Sequence, residues 1–304
     1  MIAYSLKRAL GAIPTLLILV TLAFFMIRLA PGGPFDAERQ ISPEIEANLN
    51  AKYHLDEPLL KQYGRYLWNV AQGDLGPSFQ YQDRTVNEVI ADGFPVSIRL
   101  GLASMAVALL FGVLFGTIAA LRQNHLTDYG VMTLAMLGIS IPNYVLGPLM
   151  ILFFAVGLHW LPAGGLGSWQ HYVLPVIALG TAMMAYIARL TRASMIETLR
   201  SNYIRTARAK GLPMRRVLFV HALPGAIAPV VSFLGPATAG IITGSIVIET
   251  IFGIPGLGRF FVQGAMNRDY TLVLGVVLLY GALIVIMNLL VDLIYAWLDP
   301  RVKY

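Results

Sequence analysis

The sequence contains no cysteine among its 304 residues, and it contains little charge. The absence of cysteine excludes disulfides, thiolate chemistry and Cys-ligated metal sites. Charged residues make up 12% of the chain and hydrophobic residues 57%, whereas a soluble domain has roughly 25% charged residues. This composition excludes an ordinary soluble domain and predicts an all-α polytopic membrane protein.

The sequence also lacks the motifs that carry most enzyme chemistry. Its five histidines are scattered, with no HExxH and no pair at ligand spacing. It has no P-loop, and no G-x-S-x-G in a strand–turn–helix setting. We therefore expect no catalytic residue, no metal and no cofactor in this chain.

Six long apolar runs predict six transmembrane helices. The first, residues 9–27, has 19 residues, which as a helix reach about 28 Å and span a bilayer core. A basic start followed by an apolar run also fits a signal peptide, but this run is longer than a signal core and Pro31 makes a poor cleavage site. The other runs are residues 100–121, 131–158, 172–188, about 225–248, and 270–291.

A polar segment, residues 31–97, follows the first span and holds ten acids and five bases. Ser42, Pro43 and Glu44 have the pattern of a helix start. Apolar residues at helical spacing over 58–70 predict an amphipathic helix lying against the membrane face. Two interpretations stay open: a packed extracytoplasmic loop, or a landing surface for an external partner.

The charges are distributed unevenly between the two faces. With six spans, both termini and the loops at 122–130 and 189–216 share one side. That side holds thirteen bases against three acids, whereas the 159–171 loop has neither. The positive-inside rule makes the basic side cytoplasmic and explains the net charge of +6 without nucleic acid. The bases are Lys7, Arg8, Arg122, Arg189, Arg192, Arg200, Arg205, Arg208, Lys210, Arg215, Arg216, Arg301 and Lys303.

Small residues and acids mark several other positions. Gly112 and Gly116 form a GxxxG pattern, which favours close helix packing. The Gly-rich stretch 249–270 predicts a partly re-entrant loop at the outer mouth. Glu249 and Asp292 lie near the ends of the last two spans, where interfacial placement or pairing with an arginine is favoured over an intramembrane role.

The most basic stretch, residues 203–229, lies between two spans. Its helix-forming start is followed by Gly211, which suits a sharp turn at positive φ, and by Pro213, which stops simple helix continuation. This pattern predicts two short helices at an angle. Charge alone favours a loop that anchors to anionic lipid, and a docking element for a soluble partner is the alternative.

The spacing within this stretch resembles that of binding-protein-dependent ABC importer permeases. Their cytoplasmic motif is EAA, three residues, Gly, nine residues, then Ile-x-Leu-Pro. Here residues 205–207 (Arg-Thr-Ala) occupy the EAA positions, Gly211 follows, and residues 221–224 (His-Ala-Leu-Pro) close the motif. The Gly, the spacing and the Leu-Pro match, whereas the Glu, the first Ala and the Ile do not.

Further stretches resemble the oligopeptide and dipeptide branch of this family and extend the likeness over nearly the whole chain. They include IRLAPGGPF, AKYHLDEPL, GDLGPSF, ITGSIVIETIFGIPGLG and NRDYTLVLG. The resemblance implies a type I importer fold with a first helix at 1–30, an extracytoplasmic segment at 31–97, and a core at 98–304 with a coupling loop at 189–224. Nickel permeases share much of the pattern, so the substrate stays open among oligopeptide, dipeptide, murein peptide and nickel.

The resemblance also implies a division of labour in a bacterial inner membrane. A second similar permease completes the pore, two cytoplasmic subunits bind ATP and Mg, an external binding protein delivers the substrate, and lipid surrounds the spans. A membrane anchor or scaffold for a cytoplasmic partner is the alternative from another class. The expected ATPase-coupling residues are Arg205, Thr206, Ala207, Arg208, Lys210, Gly211, Leu212, Pro213, Arg215, Arg216, Leu223 and Pro224.

Overall fold

The computed structural model describes residues 2–29, 33, 43–81 and 83–298. Within these ranges the regular structure is helical, apart from an isolated bridge between Pro77 and Thr85. The helices are α1 (Ile2–Leu29), α2 (Pro43–Lys52), α3 (Leu59–Ala71), α4 (Val86–Leu121), α5 (Leu126–Ser140), α6 (Asn143–Met150), α7 (Gln170–Leu199), α8 (Asn202–Ala209), α9 (Met214–Arg216), α10 (Leu223–Ala226), α11 (Ala228–Thr243), α12 (Ile246–Ile251), α13 (Leu257–Met266) and α14 (Tyr270–Leu298). Two π-helical segments, Ile151–Gly157 and Val217–Ala222, follow α6 and α9.

Five helical stretches are long and apolar enough to cross a membrane. They are α1, α4, α7, α11 together with α12, and α14. A sixth crossing results if α5 and α6, with its π extension, count as one bent span. The six predicted transmembrane helices are confirmed on that reading.

The predicted span at 131–158 is sharply bent. The axes of Leu126–Ser140 and Asn143–Gly157 differ by 103°. Ile141, directly before Pro142, has extended geometry with φ −87° and ψ 114°. A residue before proline is disfavoured in the helical region because it clashes with the proline ring, and here the extended Ile141 ends α5.

Helix α4 begins well before the predicted start of its span. Thr85 caps it: the Glu88 amide donates to Thr85 Oγ1 at 3.3 Å, and the Thr85 amide donates to Glu88 Oε2 at 2.9 Å. This reciprocal cap satisfies two amides that the first helical turn leaves unpaired. The helix therefore starts before the apolar run at residues 100–121, because the charged residues that precede this run do not interrupt the helix.

Glycines bring α4 and α7 into close contact along their length. A Cβ on Gly112 would lie 2.7 Å from Ile187 Cγ2, and a Cβ on Gly116 would clash with the Ala188 carbonyl oxygen. Gly180 of α7 makes the reciprocal approach to α4, since a Cβ there would lie 2.9 Å from the Ser104 carbonyl oxygen. The GxxxG pattern is thus a packing device, and filling it costs on the order of 1–3 kcal/mol.

The segment between α1 and α4 packs onto the outside of the bundle. Helix α3, predicted from its periodicity, places Tyr63 and Tyr66 against Phe24 of α1. The hydroxyls of Thr21 and Tyr63 lie 2.6 Å apart and share a hydrogen bond. Burial raises the pKa of the Tyr66 phenol, since its charged form would lose solvation. Helix α3 is therefore joined to α1 by both apolar and polar contacts.

A buried aspartate fastens the same segment to α14. Asp269 Oδ1 accepts from the Leu272 amide at 3.1 Å and so caps the start of α14. Its Oδ2 accepts from the Ser78 hydroxyl and from the Gln80 amide. The Asp269 carboxylate therefore accepts hydrogen bonds both from the loop at residues 78–80 and from the first turn of α14.

Glu249 is buried, and the prediction of interfacial placement or an arginine partner is wrong. Its Oε1 accepts from Ser97 Oγ at 2.6 Å and from Ser245 Oγ at 2.5 Å. Its Oε2 accepts from the Gly258 amide at 2.9 Å, at the start of α13. The carboxylate joins α4, α12 and α13. The side chain of Asp292 and residues 299–301 lie outside the described part of the chain.

Candidate coupling surface

The connection between α7 and α11 is anchored by a small apolar core. Ile204 and Ala207 lie one turn apart on α8 and are buried. They join Met195 of α7, Ala120 at the end of α4, and Val217 of the second π segment. This core fixes α8 beside the ends of two spans, α4 and α7.

A hydrogen-bonded turn ends α8 at Gly211. The Gly211 amide donates to the Arg208 carbonyl at 2.9 Å, and the Leu212 amide donates to the Ala207 carbonyl at 3.3 Å. Gly211 has φ +74°, the left-handed region that side chains disfavour. This is a Schellman motif, which commonly ends on glycine. The predicted turn at Gly211 is confirmed, and Leu212 joins the apolar core beside Ala207.

The chain then returns towards the bundle through Pro213. Pro213 has φ −63° and ψ 144°, an extended geometry that separates α8 from α9. The π segment follows, and α10 leads into α11. A Cβ on Gly225 would lie 2.9 Å from the Tyr203 hydroxyl, so glycine lets α10 approach α8 closely. The two short helices predicted here are present as α8 and α9.

Most of the predicted coupling residues face solvent. Three do not: Ala207 is buried, and Leu212 and Leu223 are half-buried against the apolar core. These three hold the surface in place instead of forming it. The exposed residues are Arg205, Thr206, Arg208, Lys210, Gly211, Pro213, Arg215, Arg216 and Pro224.

The exposed bases on this surface have no acidic partners. None of the ion pairs found in the described ranges involves Arg205, Arg208, Lys210, Arg215 or Arg216. Five cations close together on α8, α9 and the turn between them give the surface a positive field. Such a field favours an acidic partner surface and steers its approach.

An ion pair braces the end of α7 next to this surface. Asp128, 1% exposed, accepts from Arg192 Nε and Nη2, each at 2.6 Å. The Asn124 amide adds a hydrogen bond to Asp128 Oδ2 at 2.9 Å. Arg200 Nη2 donates to Gln123 Oε1 at 2.9 Å. The α4–α5 turn is thereby fixed to the last turns of α7.

Sequence reasoning missed the residues that hold the surface. Ile204 has the three-residue apolar spacing to Ala207 that marks a buried helix face. Val217 gives no such signal, because it lies in a π segment. Tyr203 and Met214 are also missed: they are 51% and 47% exposed and place apolar area among the bases.

The residue types on this surface are typical of a binding site and not of a catalytic centre. No cluster of three or more metal-binding side chains occurs in the part of the chain that the structure describes. The exposed predicted residues are mostly basic and none of them is an acid. A rigid helix, cations without partners and exposed apolar side chains together fit a protein partner.

The comparisons with known proteins decide the family. Residues 112–304 match the family described as "Binding-protein-dependent transport system inner membrane component", and residues 1–101 match its N-terminal component. The chain belongs to this family. It is therefore a non-catalytic permease and a multi-pass protein of the inner membrane.

Full-length relatives support the assignment. The permease is 55% identical to the oligopeptide transport system permease protein OppB of Escherichia coli K12, and the alignment covers 100% of both chains. It is 46% identical to the dipeptide transport system permease protein DppB of Bacillus subtilis, covering 100% of this chain and 98% of the relative. It is 42% identical to the glutathione transport system permease protein GsiC of Salmonella paratyphi A, covering 100% of both.

Solved structures support the fold. The permease resembles a chain of the MetNI methionine ABC transporter with a TM-score of 0.54 and 21% identity, over 69% of this chain and 96% of that one. It also resembles a chain of an amino acid ABC transporter with a TM-score of 0.52 and 17% identity, over 71% of this chain and 95% of that one. The predicted type I importer permease fold is confirmed.

Proposed function

We propose that this permease is a pore-forming subunit of an ATP-driven importer for oligopeptides. The observation that carries the proposal is the 55% identity to an oligopeptide permease over the whole of both chains. The dipeptide relative at 46% identity makes dipeptide import the second candidate. In either case the substrate arrives from an external binding protein, and a second, similar permease completes the pore.

The basic surface around α8 is proposed to dock on a cytoplasmic ATPase. It is supported by the rigid α8–Gly211 turn, by the cations without partners and by the apolar core that connects α8 to α4 and α7. Two ATPase subunits bind ATP and Mg, and both termini of the permease lie on their side of the membrane. Movement of the ATPases would displace α8, and the spans fixed to it would follow.

Peptide uptake tests the substrate class. A strain lacking this chain is compared with the same strain carrying it on a plasmid, using radiolabelled peptides of two to six residues and nickel as competitor. We expect the deletion to abolish uptake of peptides of three or more residues. Loss confined to dipeptides would support the second candidate. Unchanged uptake of every peptide, with loss of nickel uptake measured in the same strains, would overturn both.

Copurification tests the assembly. An affinity-tagged permease is isolated from membranes in mild detergent, and its partners are identified by mass. We expect a second permease and two nucleotide-binding subunits. Isolation alone, or with a partner that hydrolyses no ATP, would support the anchor or scaffold alternative instead.

A further inference from the structure

A cavity opens at the end of the bundle opposite the coupling surface. It has a volume of about 380 Å³ and is lined by Thr250, Gly253, Arg259, Val262 and Gln263. Pockets that take small ligands have volumes of about 300–1,000 Å³. The lining comes from the end of α12, the turn after it and one face of α13, so this cavity shares no residue with the coupling surface.

Helix α13 presents these side chains because its other face is buried. Leu257, Gly258 and Gly264 of α13 are buried. A Cβ on Gly93 of α4 would lie 3.0 Å from Leu257 Cα, and a Cβ on Gly264 would lie 3.1 Å from Leu272 Cδ2 of α14. Arg259, Val262 and Gln263 are three or four residues apart, which places them together on the opposite side.

The start of α13 is held rigidly by Glu249. The Gly258 amide donates to Glu249 Oε2 at 2.9 Å, and the Leu257 amide donates to Ser97 Oγ at 2.8 Å. A Cβ on Gly256 would clash with the Glu249 carboxylate. Arg259 directly follows these fixed residues, so its backbone position is set by buried bonds.

The Arg259 guanidinium is exposed and has no carboxylate partner in the described part of the chain. Its charge acts on the nearby Tyr81. Burial raises the pKa of the Tyr81 phenol, and the positive charge of Arg259 opposes that rise. An exposed guanidinium keeps its planar set of donors available, and two parallel N–H bonds suit a carboxylate.

Gln263 adds a second donor. The Tyr81 hydroxyl donates to Gln263 Oε1 at 2.8 Å, which leaves the amide NH₂ of Gln263 free to donate. Thr250 offers no donor, since its hydroxyl already donates to the Ile246 carbonyl at 2.9 Å. Among the residues that line the cavity, Arg259 and Gln263 therefore supply the available donors, and none of these lining residues is an acid.

We propose that Arg259 and Gln263 bind a carboxylate of the peptide cargo as it enters the permease. The inference rests on the proposed function, because it needs peptide import by this chain. A carboxylate has two sources in a peptide, its C-terminus and an acidic side chain. Both carry the planar pair of oxygens that the arginine and the amide recognise.

Uptake of matched peptides by variant permeases tests the site. Three labelled peptides of one sequence are compared: one with a free C-terminus, one with a C-terminal amide, and one amidated peptide carrying a glutamate side chain. Uptake is measured with the wild type, Arg259→Gln, Arg259→Lys and Gln263→Leu. The delivering binding protein is the same in every strain, so its own preference cancels when ratios are compared between strains.

We expect Arg259→Gln to lower uptake of the free-acid peptide about tenfold relative to the amide, equivalent to about 1.4 kcal/mol. Arg259→Lys should lose less, since it keeps the charge but not the bidentate geometry. Gln263→Leu should also lower uptake of the free-acid peptide relative to uptake of the amide. A loss for the glutamate peptide as well identifies carboxylates in general, and a loss confined to the free acid identifies the C-terminus.

Two results overturn the inference. One is an unchanged ratio of free-acid to amide uptake in Arg259→Gln and Gln263→Leu. The other is an equal loss for all peptides, which assigns Arg259 to structure or to the binding protein. Met266→Gln, at a 77% exposed position of α13 outside the cavity, is the control and should leave the ratio unchanged. If the wild type and the deletion strain take up peptide equally, the proposed function itself fails. This result is distinct from a failure of the Arg259 site, because it is seen without any variant.

Discussion

Gly211 provides the sharpest test of the coupling surface, because its role is conformational alone. Nothing lies within 4 Å of a Cβ at this position, so a side chain meets no steric obstacle. Its φ of +74° is what glycine permits and other residues resist. Three substitutions, to Asn, Ala and Pro, therefore vary the backbone preference with no packing term.

The expected free-energy costs of the three substitutions follow from the geometry of the turn at Gly211. Alanine in the left-handed region costs about 1–2 kcal/mol, whereas asparagine visits that region more readily. Proline fixes φ near −65° and removes the amide that donates to the Arg208 carbonyl at 2.9 Å. Because proline both loses this hydrogen bond and forbids positive φ, we expect it to cost more than alanine. The order of severity is therefore Asn, then Ala, then Pro.

The assay is the number of peptides imported per ATP hydrolysed by the complex in proteoliposomes. We expect Asn to retain most coupling, Ala to lower it, and Pro to uncouple hydrolysis from uptake while the protein stays in the membrane. Hydrogen exchange at the Leu212 amide, which donates to the Ala207 carbonyl, reports the turn directly. A cost of about 1.4 kcal/mol in Ala lowers protection about tenfold.

Two outcomes would refute this reasoning. Normal uptake with normal coupled ATPase activity in Gly211→Pro would show that the turn transmits nothing. Equal defects in Asn and Pro, despite their different preferences for positive φ, would show that the effect arises from a lost contact with the partner and not from backbone geometry.

Three further predictions concern charge, the buried carboxylate and packing. Arg208→Glu should slow ATPase association about tenfold at low salt, since surface charge acts mainly on the association rate; an unchanged rate by surface plasmon resonance would contradict it, and Lys52→Glu is the control. Glu249→Ala should lower the free energy of unfolding of the solubilised protein by on the order of 1–3 kcal/mol, because it leaves the Ser97 hydroxyl and the Gly258 amide buried without an acceptor, and a change in melting temperature no larger than that of Met266→Gln would argue against it. Gly116→Ala should destabilise by about 1–3 kcal/mol through overpacking, whereas Gly130→Ala, where a Cβ meets nothing within 4 Å, should not.

Local chemistry accounts for the parts of the fold that the sequence predicts well. The spans follow from apolar length, α3 from its periodicity, and the turn at Gly211 from glycine followed by Pro213. Each depends on residues that are close together in the sequence. The exposed positions of the five bases among the predicted coupling residues follow in the same way, since long charged side chains are rarely buried without partners.

Prolines show where local reasoning fails. Pro95 and Pro175 lie inside continuous helices, whereas the chain turns through 103° at Pro142. Whether a proline breaks a membrane helix depends on whether neighbouring groups satisfy the freed carbonyl. Those neighbours are distant in sequence, so the sequence around each proline does not distinguish the three.

The buried polar contacts could not be predicted from the sequence for the same reason. Ser97 and Glu249 are 152 residues apart, and Asp128 and Arg192 are 64 apart. Each residue alone resembles an interfacial polar group. Only the fold brings these partners together. Because Glu249 accepts hydrogen bonds from Ser97 and from the Gly258 amide, it is a buried residue that holds α13 and not a surface acid.

Helix α4 connects the two ends of the molecule. Ala120 joins the apolar core beneath α8, and Ser97 joins the Glu249 network that fixes α13. Ser97 and Ala120 are 23 positions apart, which corresponds to about 34 Å in a straight helix. Close approaches at Gly101 to α11 and at Gly112 to α7 leave α4 little freedom to bend away from its neighbours. We therefore expect displacement of α8 to reach the Arg259 cavity by rigid-body movement of α4. A double-mutant cycle between Gly211→Ala and Glu249→Gln in peptides imported per ATP measures this link, and strictly additive effects would show that the two ends act independently.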